Sequence, residues 1–366
     1  MLYFCRLFLN SGGYEQRLME KKQAQSLASQ RLRQRDIAQA ANVSISTVSR
    51  VLSNVDGISQ HVRERVLKAA ASLGYQPTDE KLHSIHLFTD IKLADSPFYH
   101  NIMAGIEAEC RRHDIALHYM VVERGPDSRA HVLEKIMQHT TDGLVFVAQD
   151  DRELLEQALT YNFRIVLVNA EHEGLPIDTV LPDNQVGPLL AMRHMIKHGH
   201  RSILHVTSLK RITLRRRYDA YRAALAEAGI VYDPRLVLAL DEPFNMASAY
   251  ERLKSLLAEP HSFSTHFPSF TAVFCANDLS AMGVARALQE ADLRIPQDIS
   301  LVGYDDLPMA EFMSPPLTTV RVDCQALGTF AIQRLIERAA HPDSIPIRVE
   351  LFSRLIERQS VARRPD

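Results

Sequence analysis

No stretch of this 366-residue sequence is apolar for long enough to span a bilayer. The run from Met1 to Leu9 is broken by Arg6 and falls well short of the roughly 20 residues a membrane helix needs. It also lacks the cationic start and small-residue cleavage pattern of an export signal, so a cytoplasmic chain with no membrane partner is expected. Cysteine is scarce: Cys5, Cys110, Cys275 and Cys324 are widely scattered with no CxxC pair, which fits neither a zinc site nor a disulfide framework. The 16 histidines include no HExxH, and His198 and His200, flanking a glycine, read as surface or core side chains; no metal is expected. P-loop, GxSxG and dinucleotide GxGxxG patterns are missing too, so no catalytic residue and no cofactor is assigned, and an enzyme is not expected.

What is present is unevenly distributed. Residues 1–77 hold 11 Lys and Arg against 5 Asp and Glu, whereas the remaining 289 hold 31 against 39. A basic head on an acidic body is the expected balance when only the head must neutralise phosphates. The length implies two or three domains.

Residues 1–32 are polar and Gln/Ser-rich after Gly13 and read as a mobile arm, with Met19 as an alternative start. From residue 33 to 77 the apolar period predicts three short helices. Ile37, Ala38 and Ala41 line the first; Asn42 and Val43 turn the chain; Ser44 caps a second with Val48, Val51 and Leu52 inward. Ser59 caps the third, lined by Val62, Val66, Ala69, Ala70 and Leu73 and stopped at Gly74. After a short linker, 78–84, strands alternate with amphipathic helices across 85–366. The strands are expected at 85–89, 115–122, 143–147, 165–169, 203–207, 236–240, 273–275 and 300–303. Such alternation means parallel sheets with helices on both faces, and the length favours two lobes around a cleft.

The second helix turns Ile45, Ser46, Ser49, Arg50 and Ser53 to one side, with Arg33 and Thr47 nearby. Short hydroxyls and one arginine suit the major groove of double-stranded DNA, where Arg50 can bond a guanine bidentately. A small bundle with a solvated serine face is the bland alternative. Two heads related by a two-fold axis would read a palindrome, so a homodimer is expected.

RDIAQAANVSISTVSRVLSN and ISQHVRERVLKAAASLGYQP, spanning Arg35–Pro77, resemble the head of the lactose/galactose repressor family. CANDLSAMGVARAL (275–288) and DISLVGYDDLPMAEFMSPPLTTVR (298–321) resemble that family's effector domain. The resemblance implies an α/β fold, a two-lobed periplasmic-binding-protein-like sensor domain preceded by a small all-α helix-turn-helix domain. By it, Ile45, Ser46 and Arg50 face the bases of an operator, and a small effector controls affinity. Two departures stand out. The linker is several residues shorter than usual, leaving Leu82 as the sole candidate for the leucine that the family wedges into the minor groove, so a weakly bent operator is expected. Ala220 also replaces a usual glycine. No leucine heptad follows the final strand segment, which favours a dimer over a tetramer.

In parallel α/β folds the ligand sits beyond the carboxyl ends of the strands. That rule selects Phe98 and Tyr99 after the first strand, Asn169 ending the fourth, Arg217 in the first turn after the loop that follows residue 207, Phe244 opening the next helix, and Asp278 after Cys275. The resemblance assigns Asp278, Arg217 and Phe244 to the pocket as aspartate, arginine and stacking aromatic, and matches Arg211, Thr213 and the Phe98–Tyr99 pair to a purine-sensing branch. A sugar effector is favoured, with a purine as the alternative. Against these stand an N-cap role for Asp278, a solvated helix face for Arg217 and ordinary core for the aromatics; Asp305 and Asp306 read as structural. An exported solute-binding protein is the rival for the body alone, and effector-induced release from DNA the default sign.

Overall fold

A computed structural model describes residues 34–364 except 53–56, 74–81, 90–95, 123–125, 139–140, 150, 162, 242–243 and 259–268. The expected arm at 1–32, the candidate DNA-contacting residues Arg33 and Ser53, the Gly74 stop and most of the linker lie outside those residues.

The head comprises α1 (residues 34–40), α2 (Ile45–Leu52) and α3 (Gln60–Ser72). Ile37, Ala38, Ala41, Val48, Val51, Val66, Ala69 and Ala70 form its buried core, with Leu52 and Val62 packed at the margin. Two expectations fail here. Leu73 is 49% exposed, because the third helix ends at Ser72 and its last apolar residue falls off the buried stripe. Ser59 occupies the cap position of α3 in extended conformation, yet its side chain makes no capping hydrogen bond.

The body holds two parallel sheets. Strands β1 (Ser84–Thr89), β2 (Ala116–Val121), β3 (Gly143–Val147), β4 (Ile165–Val168), β5 (Asp178–Pro182) and β11 (Arg348–Leu351) form the first, in the order β11-β5-β4-β3-β1-β2. Strands β6 (Ile203–Thr207), β7 (Val237–Ala239), β8 (Ala272–Cys275) and β9 (Ser300–Val302) form the second, in the order β7-β6-β8-β9. Between them, β10 (Thr319–Arg321) and β12 (Arg354–Ile356) make a short antiparallel ribbon. The linker is shorter than expected: Ser84 already pairs with Ala116 as the first residue of β1, and Leu82 is 3% exposed within the body's core, so burial holds it away from any wedge role in this arrangement.

Both faces of the first sheet are covered, which is why β3 and β4 are buried at every position. On one side α5 (Pro126–Gln138) and α6 (Arg152–Leu159) bring Val132, Ile136, Leu154 and Leu155 against Phe88, Phe146 and Leu167. On the other, α4 (Pro97–Arg112) and α12 (Cys324–Ala340) contribute Ile102, Ile106, Leu327 and Ile332. Each such side chain contributes about 1.5–3 kcal/mol on burial. α4 and α12 lie close because glycines meet backbone: a Cβ on Gly105 would sit 2.0 Å from Gln325 O, and one on Gly328 2.2 Å from Ile102 O.

The second lobe adds α7 (Val186–Lys197), α8 (Ile212–Glu227), α9 (Met246–Ala258), α10 (Asp278–Glu290) and the short α11 (Pro308–Glu311). The chain thus builds most of one lobe, crosses after β5, builds the other, and returns through β10 so that α12 and β11 complete the first. Among the described residues no helix is long and apolar enough to cross a membrane, and no group of His, Cys, Asp and Glu is arranged to hold a metal ion.

Candidate DNA-reading and effector sites

In the head, the turn between α1 and α2 is set by Asn42 in the left-handed region at φ 50°, where asparagine is tolerated better than most residues. Ser44 Oγ accepts the Thr47 N–H at 3.1 Å and so caps α2, as expected. Arg65 on α3 donates to Ala41 O (2.7 Å) and Asn42 O (3.1 Å), fastening the turn. With Val48 and Val51 inward, the opposite side of α2 presents Ile45 (48% exposed), Ser46, Arg50 and the half-buried Ser49; Thr47 is half-buried beside them. Short hydroxyls, one aliphatic side chain and one guanidinium are what base edges, a thymine methyl and a guanine can engage.

In the body, the expected effector residues separate into two groups. The first joins the lobes. Asn169, at φ 51° just past β4, donates through Nδ2 to Tyr99 Oη (2.8 Å), and Arg211, immediately before α8, donates to Tyr99 Oη and to Asn169 O (2.9 Å). Phe98 lies edge-on against Tyr99 with ring centroids 5.1 Å apart. Asn169 Oδ1 is buried and accepts no hydrogen bond from the described residues.

The second group surrounds Arg217. This side chain is 3% exposed, sits in the second turn of α8 rather than the first, and donates to Asn184 Oδ1 (2.9 Å) and Ala276 O. Its guanidinium carbon lies 3.7 Å from the centre of the Tyr304 ring and Nη1 lies 3.6 Å from Asp305 Oδ1. A solvated helix face is therefore ruled out for it. Asp278 is fully buried; its Oδ2 accepts the Leu307 N–H (2.8 Å) and its Oδ1 the Thr319 hydroxyl (2.6 Å). The cap of α10 is Asn277, which accepts from Ser280 N, so Asp278 is spared that task. Burial, then neighbouring Asp305, holds the Asp278 carboxyl well above the usual carboxylate range. Gly303 makes room for it, since a Cβ there would stand 2.2 Å from Asp278 Oδ1.

Two expected residues join neither group through a hydrogen bond. Thr213 is buried in the first turn of α8. Phe244 precedes α9 by two residues instead of opening it, and packs partly buried against the second-lobe core. Asp305 and Asp306 both have positive φ, 114° and 56°; Asp306 pairs with Arg321 and with Arg358 (2.7 Å), whereas Asp305, read as structural, faces Arg217. Sequence reasoning missed Asn184, Tyr304 and the Arg217 partnership of Asp305. Asn184 follows β5 at its carboxyl end, so the strand-end rule would have selected it had β5 itself been recognised.

The geometry has counterparts among known proteins. The family described as bacterial regulatory proteins, lacI family, matches residues 34–78, and the periplasmic binding protein-like domain matches residues 192–361. The ribose operon repressor of Haemophilus influenzae is 31% identical over 319 residues, covering 84% of this chain and 92% of that protein. The HTH-type transcriptional repressor PurR of Mannheimia succiniciproducens is 29% identical over 337 residues, covering 89% and 98%. Among solved structures, the lac repressor dimer bound to operator and the anti-inducer ONPF superposes with a TM-score of 0.66 at 25% identity, covering 89% of this chain and 98% of that one. On these grounds the chain belongs to the lacI family of bacterial regulatory proteins, a helix-turn-helix DNA-binding head joined to a periplasmic-binding-protein-like effector domain.

Proposed function

We propose that this regulator is a homodimeric repressor whose effector is a small neutral sugar held between the lobes, and that effector binding releases the operator. The observation that carries the choice is the charge balance around Arg217. Its guanidinium already has a carboxylate 3.6 Å away in Asp305, so the pocket neither needs nor rewards an anionic ligand. What the two groups offer instead is hydroxyl-matching chemistry: Asn169 Oδ1, which accepts no hydrogen bond from the described residues, as an acceptor, and the Arg217 guanidinium as a donor. Similarity to a ribose operon repressor supports the same class. Catalysis has no part in this reading, and turnover of a metabolite by the purified chain would contradict it.

A neutral purine is the second reading, favoured by Arg211 and Thr213 standing together at the start of α8 and by the likeness to PurR. A thermal-shift screen of pentoses, hexoses, nucleosides and free purines separates the two. A ligand at 100 times its dissociation constant stabilises the folded chain by about 2.7 kcal/mol. The proposal expects the shift from a sugar; a shift from purines alone transfers the assignment.

The output follows from linkage. An effector that binds one arrangement of the lobes better than the other moves the DNA-binding equilibrium by that difference and no more. Two heads held at a fixed spacing read both halves of a palindrome, and lobe closure that misplaces them costs operator affinity.

A further inference from the structure

We propose that Glu171 and Arg216 form an interlobe bridge that positions the effector arginine, Arg217, by holding the two lobes in register. Glu171 lies two residues beyond Asn169 on the first lobe and is 8% exposed. Its Oε1 accepts from Arg216 on α8 of the second lobe, at 2.8 Å from Nε and also from Nη2. Its Oε2 stands 2.9 Å from Nη2 of Arg348, the first residue of β11 on the first lobe's sheet, at ion-pair distance without hydrogen-bond alignment.

The two guanidiniums therefore play different parts. Arg348 belongs to the same lobe as Glu171, so it keeps the carboxylate in place whichever way the lobes move. Arg216 belongs to the other lobe, and its contact must break when they part. A hydrogen-bonded ion pair weakens steeply once donor and acceptor separate or lose alignment, which makes this contact sensitive to small separations. Arg216 is also the neighbour of Arg217 in sequence, so the register fixed by Glu171 carries directly to the guanidinium packed on Tyr304. On the same side of the cleft Arg211 crosses to Tyr99 and Asn169, which gives the closed arrangement a second tie. An effector whose binding requires closure has an apparent affinity reduced by the fraction of molecules not closed, so the bridge tunes affinity without touching the ligand. The inference holds for a sugar or a purine alike.

Electron–electron distance measurement tests it without any effector. Spin labels are placed on the full chain at Gln157→Cys on exposed α6 and Val231→Cys beyond α8, where Val231 is 88% exposed. Cys5 is replaced by serine, while Cys110, Cys275 and Cys324 are buried and stay. Labelled chain is diluted with unlabelled chain so that only distances within one chain are read. The parent should give one dominant distance. Glu171→Gln and Arg216→Met should each lower the closed-to-open ratio by about tenfold, the double variant no further than either single one, and Arg216→Lys should restore part of the loss. The exposed edge of the Arg216 side chain keeps that variant foldable if Glu171→Gln is not. Distributions that superpose on the parent, or a double variant that opens as the sum of the two singles, overturn the bridge.

Discussion

Arg217 and Asp305 face each other at 3.6 Å with 4% and 7% of their side chains exposed, a buried ion pair at the centre of the effector domain. The two residues stand 88 positions apart, Arg217 in a run of three arginines and Asp305 in a pair of aspartates, so nothing local in the sequence reveals which of them pair. Asp305 reaches the arginine from a left-handed turn held by its own N–H to Val320 O (2.8 Å), so the loop is shaped to deliver the carboxylate. The pair helps fix Arg217 over Tyr304.

The burial of Asp305 makes stability pH-dependent. Burial pushes Asp305 up to about 7, with the Arg217 guanidinium restraining the rise. The folded chain thus binds this proton more tightly than the unfolded one, and the stability it contributes is complete below about pH 4 and lost as pH climbs through about 7. Asp305→Asn removes the titration. Urea titrations from about pH 5 to about pH 7 should show the variant gaining on the parent by on the order of 1 kcal/mol per pH unit. A difference that stays constant with pH would contradict the assignment.

Asp278→Ala should leave DNA binding intact while abolishing the effector's thermal shift. The carboxylate holds Leu307 N and the Thr319 hydroxyl around the arginine pocket, far from α2 in the chain. A variant that still answers the effector in full would place the pocket elsewhere.

Close helix packing supplies a third expectation. Gly328→Ala would set a methyl 2.2 Å from Ile102 O, a backbone atom of α4 that cannot rotate away. Overpacking of this kind costs about 1–3 kcal/mol. A urea midpoint equal to the parent's would mean that α4 and α12 can slide apart freely.

How far the sequence disclosed this arrangement depended on the range of the contacts. The helix-turn-helix was legible almost residue by residue, because Val48 with Val51, and Val62 with Val66, Ala69 and Ala70, recur at helical spacing and Ser44 caps within three residues of itself. Buried strands such as β3 and β4 were legible as continuous apolar runs. β5 was not, since its apolar centre is only Val180 and Leu181 between Asp178 and Pro182. β10 is three residues long, and β11 is an edge strand with a mixed pattern. Strand ends pointed to Tyr99, Asn169 and Asp278, and the family resemblance to Arg211, but no local signal tells that Tyr99 and Arg211, 112 residues apart, share a hydrogen bond. That Leu82 would be buried was hidden for a related reason: a leucine in a short linker looks available until the fold covers it.

Ser44→Ala probes the head. Loss of a serine cap costs about 1 kcal/mol, so amide exchange at Thr47 should quicken by roughly fivefold while exchange in β3 stays unchanged. Equal exchange at Thr47 in the two proteins would show that the 3.1 Å contact contributes nothing.

The central claim is that the exposed side of α2 reads base pairs, and selection of bound duplexes from a random library tests it most directly. The parent should enrich a palindrome with two half-sites, and Arg50→Ala should enrich the same palindrome with preference relaxed at one base pair per half-site, a loss of roughly 1–3 kcal/mol. No enriched sequence for the parent, or identical profiles for parent and variant, would contradict it.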